Sequence, residues 1–162
     1  GWESPEVIHV RSAGFGAGES LITQAQEDQK PPTQGDTELY RGLSLLGVKP
    51  GEKPSLISHV DTCQAPEPYT GFAEQMAPLR DDYAGFIVVV HDTAFCQSRD
   101  TLSATLNGTG LSEWRNLAFR QPYIGLIMAD GSTHEVTGRS SNSAVMRLHQ
   151  AATPSNPSHA VR

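Results

Sequence analysis

The run Gly85-Phe86-Ile87-Val88-Val89-Val90-His91 constrains the fold more than any other stretch of this chain. Its centre is continuously apolar and mostly β-branched, a composition that packs well on a pleated sheet and loses rotamer freedom in a helix. It is far shorter than the roughly 20 residues that span a bilayer as a helix. An unbroken apolar run, unlike an alternating one, needs cover on both faces, so Phe86 to Val90 reads as a buried central strand.

Other segments supply neighbours for it. Val7-Ile8-His9-Val10 reads as a short strand, Leu39-Tyr40 as a strand start, and Ser55 to Val60 as a short helix or strand. Leu102 to Leu106 alternates apolar and polar residues and runs into Asn107-Gly108, a hairpin signal. Tyr123 to Met128 is a further strand, and Asp130-Gly131 predicts a tight turn into His134-Glu135-Val136. Phe72, Met76 and Leu79 lie on one face of a short helix that Pro78 ends or whose last turn it occupies. The sum is an α+β fold: a strand-dominated mixed domain with short helices.

The length of 162 residues suits one domain, and 15 Gly with 11 Pro favour turns over long helices. Three regions follow. Residues 1–35 read as a flexible N-terminal arm, with a polar tract from Gln24 to Gln34 that contains Pro31-Pro32. Residues 36–150 form a single α+β domain, and residues 151–162 a disordered tail. Gly14-x-Gly16-x-Gly18 is a loop, since its spacing differs from a dinucleotide fingerprint and no strand–helix unit surrounds it. The chain opens Gly1-Trp2-Glu3 without an initiator Met, which fits a mature or truncated chain.

A formal charge of -6 argues against nucleic acid or an anionic membrane as partner. Cys63 and Cys96 permit one disulfide, the pattern of a secreted chain; two buried thiols are the other possibility. The six histidines are scattered and lack the spacing of a zinc-binding helix, so no metal is expected.

Five places carry candidate chemistry. Arg41 stands beside a strand start, with Tyr40 before it and Gly42 leaving the backbone open after it. A guanidinium there can hold a pyrophosphate or ribose through paired hydrogen bonds, and a surface arginine is the plain alternative. His91 and Asp92 emerge from the end of the Val run, where functional side chains often sit; the pair also suits the start of a turn. Glu113, between Ser112 and Trp114, can stabilise a developing positive charge. It equally suits the first turn of a helix running through Phe119, capped by Ser112 or Thr109. Glu135 is a second carboxylate candidate. Cys96 with His91 or His134 makes a thiolate–imidazole pair only if Cys96 is free.

The order of these segments resembles the mono-ADP-ribosyltransferase toxin A subunits of the pertussis and cholera type. Leu39-Tyr40-Arg41 resembles the Tyr-Arg strand that opens that fold, and Leu56 through Cys63 is similar to the His-containing segment after it. Gly85 through His91 falls at the place of the second motif, without its Ser-Thr-Ser. Ser112-Glu113-Trp114 through Ile127 is similar to the stretch that carries the catalytic Glu. The resemblance implies an ADP-ribosyltransferase-like fold and a secreted toxin or effector that transfers ADP-ribose from NAD to a host protein. Under it Arg41, with Tyr40 and Gly42, holds NAD as substrate, while Glu113 and His91 serve catalysis; delivery subunits are further expected partners. The absent Ser-Thr-Ser supports an alternative, a non-catalytic secreted module that keeps the fold and engages a host protein. Convergence of Arg41 and Glu113 on one cleft discriminates the two.

Overall fold

The computed structural model describes residues 6–26, 37–64 and 70–149. They form an α+β fold of nine strands and short helices in three layers: a four-stranded sheet, a five-stranded sheet, and helices on the outer face of the latter. The four-stranded sheet holds β1 (Glu6–Ala13), β2 (Ser20–Gln26), β3 (Thr37–Leu39) and β9 (Ser143–His149) in the order β3-β2-β1-β9. The five-stranded sheet holds β4 (Gly42–Val48), β5 (Ser55–Val60), β6 (Gly85–His91), β7 (Tyr123–Met128) and β8 (Thr133–Thr137) in the order β5-β4-β6-β7-β8. Ladder pairings within both sheets are antiparallel.

β6 is the central strand that its composition predicts, and both of its faces are covered. Phe86, Val88 and Val90 point toward the helical layer, where they meet Leu43, Leu45, Tyr123 and Ile127. Ile87 and Val89 point the other way and pack with Ile8, Val10, Ile22, Leu39 and Met146 of the four-stranded sheet. The period of two along a strand produces this division. Helix α1 (Phe72–Met76) buries Phe72 and Met76, one turn apart, and Ala77–Leu79 continues it as a 3-10 turn containing Pro78.

The segment that alternates from Leu102 to Leu106 is a helix, α2 (Asp100–Leu106), and not a hairpin strand. Leu102 and Leu106 are four apart, a spacing that fits either period. Thr101 and Thr105 are buried beside them while Ala104 is exposed, which is the helical pattern. Ser55 to Val60, open between helix and strand on sequence, is the edge strand β5. Asp130-Gly131 turns β7 into β8 as expected: Gly131 has φ 87° and Ser132 N–H donates to Asp130 Oδ1 at 2.9 Å.

The separate arm expected over residues 1–35 does not describe residues 6–26. Val7, Ile8, Val10 and Ile22 are fully buried, and β1 pairs with β9 from the far end of the chain. The strand read at Val7 to Val10 is part of β1; its place in the core was hidden, because the cover for its apolar face comes from other strands, with Leu46 and Val48 on β4, Ile87 and Val89 on β6 and Met146 on β9. The disordered tail predicted for 151–162 lies outside the described residues.

Ser12 joins the two sheets. Its hydroxyl, fully buried on β1, donates to the Val90 carbonyl on β6 and accepts from the Tyr123 N–H on β7 at 2.9 Å. Beside it Asp92 N–H donates to the Ala13 carbonyl at 2.8 Å, within a bridge between Gly14 and Asp92. The loops after β1, β5 and β6 and before β4 and β7 therefore gather at one end of the molecule. Cys63 and Cys96 are disulfide-bonded at this end, which leaves no free thiol for a cysteine-dependent reaction.

Candidate functional site

Tyr40, Arg41 and Gly42 form the crossing between the sheets, since β3 ends at Leu39 in one and β4 begins at Gly42 in the other. Gly42 has φ 110°, and a Cβ there would run into the Val60 carbonyl oxygen, so glycine is required by the crossing itself. Tyr40 is 66% exposed. Arg41 donates to Asp61 through Nε at 3.1 Å and Nη2 at 2.9 Å, a two-pronged ion pair at the end of β5. Its carbonyl accepts from His59 Nε2 at 2.7 Å. For Asp61, burial favours the neutral acid, but Arg41 and the Cys63 N–H outweigh it and hold the carboxyl below its usual range.

Glu113 lies elsewhere. It opens a 3-10 turn, Glu113–Asn116, that stops short of the helix expected through Phe119, because Leu117 is extended and its carbonyl is held by Arg99 Nη2 at 2.5 Å. The cap of this turn is neither Ser112 nor Thr109 but Glu135 from β8, whose carboxylate accepts from the N–H groups of Ser112 (3.1 Å) and Glu113 (2.9 Å). Tyr123 Oη donates to the same carboxylate at 2.5 Å. Burial, and then Glu135, push the Tyr123 phenol far up, so it stays a protonated donor.

Strand register measures the separation. Glu135 pairs with Gly125, Gly125 with Val88, and Val88 with Leu45, three residues along β4 from Gly42. Three strand spacings put β8 about 14 Å from β4, with about 10 Å more along the strand direction. Arg41 also reaches toward β5, the edge opposite β8. Arg41 and Glu113 thus sit toward opposite edges of the five-stranded sheet.

His91 is half-buried on the inter-sheet face, its Nδ1 2.7 Å from Ser20 Oγ, which also accepts the Ala13 N–H. Burial lowers its pKa most strongly, against the raising effects of Asp92, Glu38 and Glu19. Ser20 is fully buried, so the Ser20–His91 pair holds the sheets together and presents no accessible nucleophile.

The structure assembles a different surface, from the segment between β6 and β7 and the turn after β1, that the sequence reading missed. Arg99 lies over the Phe95 ring, with its guanidinium carbon 4.2 Å from the centroid, and Phe95 meets Phe119 at 6.2 Å. Arg120 stands between Phe119 (4.7 Å) and Phe15 (3.8 Å), and Arg115 covers the Trp114 ring at 4.5 Å. Phe15 and Phe119 are 47% and 44% exposed.

The backbone that presents Arg120 is fixed. It has φ 63°, its N–H donates to Thr93 Oγ1 at 2.9 Å, and its carbonyl accepts from Ser141 N–H at 2.8 Å. Among the described residues no carboxylate pairs with Arg99, Arg115 or Arg120, and the guanidinium groups of Arg115 and Arg120 donate no hydrogen bond. Guanidinium on an aromatic face is attracted by the ring quadrupole and keeps its in-plane donors free. The dipeptides Trp114-Arg115 and Phe119-Arg120 were the legible trace of this band.

Neither a model of a known protein family nor a curated protein matches this chain.

Proposed function

We propose that the chain is a non-catalytic, secreted binding module that engages a host protein through the arginine–aromatic band. The observation that carries this reading is Arg120, held between two exposed rings with its donors unpaired on a chain of formal charge -6. Rigid aromatics flanking an arginine are the residue types that dominate protein recognition. An acidic chain with a locally cationic, aromatic face suits one oriented acidic contact within a partner, not a polyanion. The Cys63–Cys96 bridge supports an oxidising compartment and stiffens the end of the molecule that bears the band.

Transfer of ADP-ribose from NAD is the competing reading. It needs Arg41 and Glu113 to flank one dinucleotide, and their positions toward opposite edges of a sheet support it less well. A single experiment separates the two. Labelled protein is titrated onto arrayed secreted and cell-surface proteins, and NAD cleavage is measured in parallel. The binding reading expects saturable binding that falls at least tenfold in the double variant Phe119→Ser, Arg120→Gln and persists in Arg41→Ala and Glu113→Ala. NAD cleavage abolished by both Arg41→Ala and Glu113→Ala would overturn it.

A further inference from the structure

A cavity of about 160 Å³ opens between α2 and the 3-10 turn at Glu113–Asn116, at the Arg99 and Arg115 end of the band. We infer that it is a subsite for one tetrahedral oxyanion, a phosphate or sulfate monoester carried by the partner. This deepens the binding reading and rests on it for the identity of the carrier.

Four residues whose side chains carry N–H or O–H donors line the cavity: Arg99, Arg115, Asn107 and Ser103. Leu102 and Trp114 supply the apolar part of the lining, and no carboxylate lines the cavity among the described residues. Arg99 is fixed by its bonds to the Leu117 and Arg115 carbonyls, at 2.5 and 3.4 Å, which leave its Nε–H uncommitted. Arg115 is braced on Trp114, whose own Nε1–H is occupied by the Leu111 carbonyl at 2.8 Å. Neither Asn107 nor Ser103 uses its side chain in a hydrogen bond among the described residues.

Two arginines that no carboxylate pairs with among the described residues, beside two neutral donor side chains, suit an anion, whose charge and acceptor oxygens match their donors. Planar donor forks match the paired oxygens of such a group. A space of this size takes one ring-sized or oxyanion group, comparable to the roughly 150 Å³ that accommodates benzene. Anything larger must continue outward over Phe95 and Phe119. A phosphate or sulfate ester at the end of a side chain meets both demands, whereas a flat carboxylate offers fewer acceptor oxygens to the donors of the lining residues.

The test is an NMR titration of the intact isotope-labelled chain at constant ionic strength. The probes are inorganic phosphate, sulfate, acetate, and a short peptide with phosphoserine, sulfotyrosine or neither. Saturable shifts at Ser103, Asn107 and Arg115 are expected. Phosphate or sulfate should bind at least fivefold tighter than acetate, and Arg115→Gln should weaken them at least tenfold. The two esterified peptides show which oxyanion is preferred, and the unmodified peptide should not bind in the cavity. Shifts that fail to saturate, equal binding of acetate, or binding unchanged in Arg115→Gln would overturn the subsite. Arg120→Gln lies outside the cavity and should leave oxyanion binding unchanged. The titration needs no partner, so the subsite can fail while protein binding through Phe119 and Arg120 persists, and the reverse.

Discussion

Replacing Ser12 with alanine tests how the two sheets are held in register. The Ser12 hydroxyl is fully buried and satisfies two backbone groups of the other sheet, the Val90 carbonyl and the Tyr123 N–H. Alanine fits the space but leaves both groups without that partner in a region closed to water. A buried polar group stripped of its partner costs about 1–3 kcal/mol. The N–H has a single proton to donate and takes the larger share, while the carbonyl retains a second lone pair. A loss of about 2–4 kcal/mol follows, or about 5–12 °C in Tm for a domain of this size. Urea unfolding of the Ser12→Ala variant should shift to a lower midpoint with an unchanged slope. Hydrogen exchange adds the local readout: the Tyr123 amide should lose more protection than amides at the centre of β6. A loss below about 0.5 kcal/mol with the Tyr123 amide still protected would refute the bridge, since exposed polar substitutions typically fall in that range.

Further perturbations address other parts of the fold. Replacing Cys63 and Cys96 with alanine opens a loop of sequence separation 33 and should cost about 3–4 kcal/mol by the chain-entropy relation, read in denaturant unfolding. Gly42→Ala meets both a positive φ and the Val60 carbonyl, so a loss above about 2 kcal/mol is expected in the same assay. Thr62→Val should be neutral or stabilising by up to about 1 kcal/mol, because the Thr62 hydroxyl is buried without a partner among the described residues. Mild acid should destabilise the protein through His91 and His9. Burial depresses both pKa values most strongly, so below the ordinary value of 6.5 the unfolded chain binds protons more readily. Their contribution is complete above pH 6.5 and is lost as pH falls through the lowered folded values. His91→Gln should flatten thermal stability across that window.

β6 was legible because a short continuous run of β-branched residues has one good solution, a strand covered on both faces. The Asp130-Gly131 turn was legible because its requirement for positive φ is local. The candidate site was less so. Tyr40-Arg41-Gly42 stood out as a motif, yet its glycine serves a crossing between sheets and its arginine meets Asp61, 20 residues later. Of the two carboxylate candidates, Glu113 has the more conspicuous sequence neighbours, Ser112 and Trp114, yet the Glu135 carboxylate is the one that ties β8 to the 3-10 turn and to Tyr123.

What the sequence determined alone was local: strand or turn propensity, the burial demanded by Phe86 to Val90, and one possible disulfide. Tertiary structure decided the rest, because cover and partners come from distant positions. β1 and β2 became core only when β9 and the five-stranded sheet reached them. Leu102 and Leu106 fit two periods, and packing on β6 chose the helix. Phe15, Phe119 and Arg120 became one surface only when the β1 and β6 ends met, since no pattern along a chain encodes a contact between residues 15 and 120.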